Sequence, residues 1–262
     1  MKKLFATILT FAALSAATTV MAGNVVTETY SIKSNYTAIS VSNRIEIELI
    51  DAPKNSVRVE IDELLLPHLQ ITVKSGVLHF SYANQREVER LRKRNRDIKE
   101  AHIYVSAYGV DTFSASGMAE IEANDIPIAV KTLTISLSGM ASVDFERVEC
   151  TTFKLTSSGM AEVDTNLTAS ECKISISGMS DVDIEGRTDH LTLDLSGMSE
   201  VSLEELHAHT AKVSVSGMSS AEVYATESIT GGVSGMSDLT TFGSANVNVS
   251  TSGGSSHKHV KK

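Results

Sequence analysis

The sequence predicts an all-β fold, a parallel β-solenoid with coils of about 18–22 residues. Three observations carry that reading. The tripeptide Ser-Gly-Met occurs seven times, with its glycine at 117, 139, 159, 178, 197, 217 and 235, and "SGG" continues the series at Gly253. The spacings are 22, 20, 19, 19, 20, 18 and 18, a period that drifts as a solenoid's does when its loops accept insertions. Around each glycine, apolar residues alternate with polar ones, the period of a strand with one buried face. About two such strands fit in a repeat, and the few residues left can return the chain only by stacking each coil on the last, about 4.8 Å away. The left-handed coil of hexapeptide-repeat acyltransferases needs an aliphatic residue at every sixth position and a fixed coil length, and this chain has neither.

In chain order, residues 1–22 ("MKKLFATILTFAALSAATTVMA") read as a secretory signal peptide, with two lysines, an apolar run, and small residues before the expected cut. A retained membrane helix is the weaker alternative, because threonines and serines interrupt a run that is barely long enough. No integral membrane segment is expected after cleavage. Loss of the leader takes the net charge from −9 to −11, so nucleic acid is not an expected partner. An exported protein of the periplasm or cell surface follows.

Residues 23–254 read as one solenoid domain. Its first part, 23–105, supplies capping strands and the first coils: "YTAISVSNRIEIELI" alternates through Ile39, Val41, Ile45, Ile47 and Leu49, and "LQITVKSGVLHFSY" suggests two strands around Gly76. Such strands would cover the open first edge, which otherwise invites aggregation. The segment 84–100 is a charged excursion with five arginines and two lysines against four acids. Asn84 and Glu87 have capping-box spacing, so a short helix fits there. It is read either as a solvated surface or as a basic patch for an anionic glycan or lipid head group. Residues 106–254 hold the repeats, and 255–262 ("SSHKHVKK") read as a disordered basic tail.

Within the repeats, apolar residues stand six, four and two places before the glycine, as in Leu133, Ile135 and Leu137, or Leu191, Leu193 and Leu195. They return four and six places after it, as in Val182 and Ile184. Unbroken alternation would also turn inward the glycine and the small residue two places on (Ala119, Ala141, Ala161, Ser180, Ser199, Ser219, Ser237). On that count Met118, Met140, Met160, Met179, Met198, Met218 and Met236 face outward as a stripe roughly 30 Å long. A left-handed glycine would instead break the parity and send them into the core as filler. An outward stripe would be an interaction or self-association surface. It would run beside a structural serine column and an acidic ladder that includes Glu162, Asp164, Asp181, Asp183 and Glu200. Stacked carboxylates repel, which bound calcium or solvent screening could relieve; no other cofactor is expected.

Catalysis is weighed and set aside. A polysaccharide lyase or hydrolase on a β-helix needs carboxylates and a base placed once. Glu162, Asp164, Asp181 and Asp183 with Lys173 are candidates, yet the same acids recur along the chain. His207 with His209, and His257 with His259, each offer two metal ligands, short of a site. Cys150 and Cys172 fall at offsets about 10 Å apart along neighbouring strands, too far for a disulfide, and are expected as two buried thiols.

The repeats "SGMSDVDI" and "SGMSEVSL", following an N-terminal half that reads "YTAISVSNRIEIELI…VRVEIDELLLPHLQITVKSGVLHFSY", resemble the putative auto-transporter adhesin head GIN domain family over roughly residues 30–254. That resemblance implies a right-handed β-helix and a role in adhesion, and brings no catalytic residues. The chain departs from it by placing Met where the family's repeats have Ser. The functional expectation is a non-enzymatic, adhesin-like binding module of the cell envelope whose partner is a protein, a glycan or a second copy of itself. A carbohydrate-active enzyme and a purely structural envelope component are the alternatives.

Overall fold

In the computed structural model, residues 25–54 and 56–261 are described. The leader expected over residues 1–22 lies outside them. The chain opens with β1 (Val25–Ser31), β2 (Ala38–Asn43), β3 (Glu46–Ile50) and β4 (Ser56–Asp62). The hairpin β5 (Leu69–Lys74) and β6 (Val77–Tyr82), helix α1 (Gln85–Arg94) and β7 (His102–Ser106) follow. Then come β8 (Thr112–Gly117), β9 (Glu120–Ala123), β10 (Ile128–Gly139), β11 (Ser142–Ser157), β12 (Glu162–Gly178) and β13 (Asp181–Gly197). The last strands are β14 (Glu200–Val215), β15 (Ser220–Val233), β16 (Asp238–Phe242), β17 (Asn246–Thr251) and β18 (Ser256–Val260).

From β8 onward every pairing is parallel, and the strands wind into a β-solenoid of about seven turns. Register is kept between like residues. Between β12 and β13, Glu162 lies opposite Asp181, Ile174 opposite Leu193, and Gly178 opposite Gly197. Each column of the repeat therefore becomes a line down the molecule.

The apolar columns fill the inside: Leu133, Ile135, Val143, Phe145, Ile174, Val182, Leu193 and Val201 are all buried. A fully buried aliphatic or aromatic side chain contributes about 1.5–3 kcal/mol by leaving water, which makes this central column the main source of stability. Thr165 takes a core position and remains satisfied, because its Oγ1 donates to the Phe145 carbonyl at 2.8 Å.

The earliest coil in sequence is not the end of the stack. Strands β2 and β3 lie under β8 and β9 in parallel register, Asn43 opposite Gly117 and Glu46 opposite Glu120. Below them lie β6 and β7, also parallel to β2 and β3. The end is closed by antiparallel pairings of β5 on β6, β4 on β7 and β1 on β4. Helix α1 begins at Asn84, whose Oδ1 accepts the Glu87 amide at 3.3 Å, and it buries Val88.

Two expectations are corrected. The disordered tail of 255–262 is instead strand β18, paired to β16 with Asp238 opposite Ser256 and Thr241 opposite His259. The alternation His257-Lys258-His259-Val260 is a strand pattern whose basic composition hides it. Both imidazoles reach the buried Thr241 hydroxyl, at 3.0 Å each, and so cover the core at that end. The repeat glycines, expected to point inward, sit at an exposed or half-buried corner. The chain bends there, so Ser, Gly and Met all lie outside before alternation resumes.

Cys150 and Cys172 are free thiols three residues out of register, Cys172 opposite Phe153 and Cys150 opposite Ala169. Cys172 is buried as expected, whereas Cys150 is half-buried. Burial pushes the Cys150 thiol up to about 11 and the Cys172 thiol further, so neither is a thiolate at neutral pH.

Candidate binding surface

Glycine makes the corner because nothing larger fits. A Cβ on Gly178 would fall on the carbonyl oxygen of Gly159, and one on Gly197 on that of Gly178, while Gly197 also has φ 114°. With the backbones this close, the next amide donates straight down the stack: Met179 to Gly159, Met198 to Gly178 and Met218 to Gly197, each at 2.8 Å.

The inner side of the corner has equally little room, which explains the small residue two places after glycine. Ala119, Ala141 and Ala161 are buried there, followed by Ser180, Ser199, Ser219 and Ser237. The buried hydroxyls are not orphaned. Ser199 Oγ accepts the Ser180 amide at 3.3 Å and donates to the Gly178 carbonyl at 3.1 Å. Ser219 and Ser237 accept the amides of Ser199 and Ser219 in the same way, at 3.3 Å.

This corner turns all seven methionines to solvent. Met118 is 40 % exposed, Met140 50 %, Met160 48 %, Met179 48 %, Met198 50 %, Met218 52 % and Met236 66 %. Five of the repeat glycines (117, 139, 197, 217 and 235) do have positive φ, yet the side chains that follow stay outside, because the bend leaves three positions, Ser, Gly and Met, outside between buried neighbours. At the N-terminal end, the stripe floors a groove of about 570 Å³ lined by Met118, Met140, Met160 and Met179 and bounded by Arg44 and Arg92. Arg92 is held over it by Glu100, its Nε and Nη2 each donating at 2.7 Å.

The acidic ladder stands beside the stripe, on the strand that leaves the corner. Glu162, Asp181 and Glu200 are register partners in one column; Asp144, Asp164 and Asp183 form the next. Burial raises the Asp164 carboxyl above its ordinary value, with Asp144 and Glu185 adding to it. Asp183 is raised by burial, then by Asp164, Glu185 and Asp181. At the first coils Glu46, Glu120 and Glu122 place carboxylate oxygens within 4.8 Å of one another, and burial followed by Glu122 and Glu46 raises Glu120.

Lys173, a candidate catalytic base, is not brought to these acids. It lies on the strand approaching the corner, in a column with Lys154, and pairs with Glu171 at 2.9 Å. His207 and His209 are exposed on the outer wall, where His207 stacks on Tyr224 at 4.4 Å.

One surface residue eluded the sequence reading. Arg44 occupies the methionine position of the coil below Met118, since Asn43 takes the glycine's place with φ 74° and its carbonyl accepts the Met118 amide at 2.8 Å. The signal was there: "SNRIEIE" at 42–48 has the frame of "SGMAEIE" at 116–122.

A family model described as putative auto-transporter adhesin, head GIN domain, matches residues 35–245, and the chain belongs to that family. No curated protein matches the chain. Among solved structures, the fold is similar to a putative lipid binding protein from Parabacteroides distasonis, with TM-score 0.78 and 19 % identity over 91 % of this chain and 98 % of that one. It is also similar to a putative adhesin from Parabacteroides merdae, with TM-score 0.75 and 18 % identity over 91 % and 97 % of the two chains. A putative adhesin from Parabacteroides distasonis has TM-score 0.73 and 21 % identity over 91 % and 98 %. At these identities the likeness is one of fold. No helix among the described residues is long and apolar enough to cross a membrane.

Proposed function

We propose that this chain is a non-enzymatic binding module of the cell envelope that docks a partner along its methionine stripe. The observation that supports it most is the unbroken file of seven methionines, each at least 40 % exposed, on a wall whose other apolar residues point into the core. Contiguous apolar surface of this kind is uncommon on a monomer unless something covers it. The carboxylates running alongside select a partner with an apolar ridge and a basic rim, and disfavour an anionic bilayer. Export is supported by the leader-like residues 1–22 and by the family's description as an auto-transporter adhesin. The recurrence of the same acids on coil after coil, with no basic residue singled out among them, favours binding over hydrolysis.

The test compares wild type with Met179→Ser combined with Met198→Ser, by light scattering for self-association and by surface binding to purified envelope proteins and glycans. The double variant should weaken binding at least tenfold while leaving the unfolding midpoint within a degree or two. A wild type that neither self-associates nor binds envelope material would overturn the reading. So would new reducing or unsaturated ends appearing when acidic polysaccharide and calcium are added.

A further inference from the structure

We infer that the methionine column is a binding site for a soft monovalent metal ion, Cu(I) in particular, held between thioether sulfurs of successive coils. This goes beyond the docking role, because it concerns the sulfur atoms rather than the apolar area they cover.

The first argument is residue choice. The core is filled with Leu, Ile, Val and Phe, any of which would make an outward stripe apolar, yet every methionine after residue 22 stands in this one exposed column. What methionine adds is a neutral, polarisable thioether, a donor that selects Cu(I) over the harder ions preferred by carboxylates.

The second argument is spacing. With metal–sulfur bonds of about 2.3 Å, an ion shared by the two sulfurs of adjacent coils needs them no more than about 4.6 Å apart. Register-paired coils repeat about every 4.8 Å, and the stacked amide bonds fix Met179 and Met198 one coil apart with no slip. Methionine has three rotatable bonds with which to close the remaining few tenths of an ångström.

The third argument is charge. Thioethers leave the ion's charge uncompensated, and the next outward position supplies the balance: Glu162 follows Met160, Asp181 follows Met179 and Glu200 follows Met198, in consecutive coils. At Met140 and Met218 that position is Ser142 and Ser220. Arg44 extends the column beyond Met118, where a cation is disfavoured, and Gly254 ends it beyond Met236. The strongest sites therefore lie between Met160 and Met179 and between Met179 and Met198.

The experiment titrates purified protein with Ag(I), a redox-inert stand-in, while following methyl-labelled methionine by NMR. It then measures Cu(I) affinity under ascorbate, without oxygen, against a chromogenic Cu(I) chelator. The methyl signals of Met160, Met179 and Met198 should shift first. The triple variant Met160→Leu, Met179→Leu, Met198→Leu should lose at least tenfold in Cu(I) affinity at an unchanged unfolding midpoint, while Met236→Leu does not. Docking is measured separately on metal-free wild type, so a protein that docks but takes up no metal overturns this proposal alone, and one that takes up metal but does not dock overturns only the docking role. Unmoved methyl signals, an unchanged affinity in the triple variant, or an affinity abolished instead by His257→Gln with His259→Gln would overturn it.

Discussion

The amide of Met179 donates to the carbonyl oxygen of Gly159 at 2.8 Å, so the residue presented to solvent is fixed by the glycine of the coil beneath it. Each exposed methionine is thus anchored through its backbone and leaves its side chain free. The stripe is as straight as the glycine column that carries it.

Gly178→Ala should destabilise the protein by at least ~2 kcal/mol, because the new methyl group falls on the Gly159 oxygen and the backbone must move. Urea unfolding measures it. Ser177→Ala next to it, an outward substitution, should change stability by under ~0.5 kcal/mol. Equal effects from the two would mean that the stack tolerates a side chain at the corner.

Leu193→Ala should cost about 2–5 kcal/mol, as expected for a fully buried leucine whose site cannot collapse. Its register partners are Ile174 below and Val213 above. Hydrogen exchange should therefore accelerate in β12, β13 and β14 before it does in β2 and β3.

Asp164→Asn should stabilise the protein at neutral pH by a few tenths of a kcal/mol in low salt, because it removes one of several like charges stacked coil on coil. The sign follows from the raised carboxyl of Asp164. A group raised in the folded state stabilises below its unfolded value and loses that contribution as pH rises through the folded value. Wild type should gain stability on acidification toward pH 4, and the variant should gain less. Thermal melts at 10 mM and 200 mM salt test both points, and calcium should raise the wild-type midpoint more than the variant's if it sits on the ladder.

The C-terminal coil should respond to acid in the opposite sense and at higher pH. Burial, and then His259, lowers the His257 imidazole below its ordinary value of 6.5. A lowered base stabilises above that value and loses the contribution as pH falls through its folded value. NMR signals of Lys258 and Val260 should move progressively toward random-coil positions as pH falls from 6.5, the ordinary imidazole value, toward the lower folded one, and His257→Gln should remove the effect. Signals that remain dispersed down to pH 5 would show that the imidazoles do not hold the last strand.

Much of this architecture could be read from the chain, and the reason is periodicity. Leu191, Leu193 and Leu195 announce a buried face without help from any other coil, and the glycine spacing fixes the stacking. The cap could not be read the same way, since its pairings join β2 to β6 and β3 to β7 across a chain that returns beneath its own first coil. Nothing local specifies that return. The inward glycine was misplaced for a related reason: alternation counts residues along a straight strand, and the close approach of Gly178 to Gly159 bends it. The outward methionines followed from the count, whereas Arg44 did not, because an asparagine with positive φ took the place of the glycine that marks the frame.

The closed N-terminal end and the in-register stack make chain length a ruler. Copying one segment of about twenty residues would lengthen the molecule by one rung, roughly 4.8 Å, and add one thioether and one hydroxyl–amide link without disturbing either terminus. Reach and valency would then change together, so related proteins could be tuned for distance and avidity by gene duplication alone.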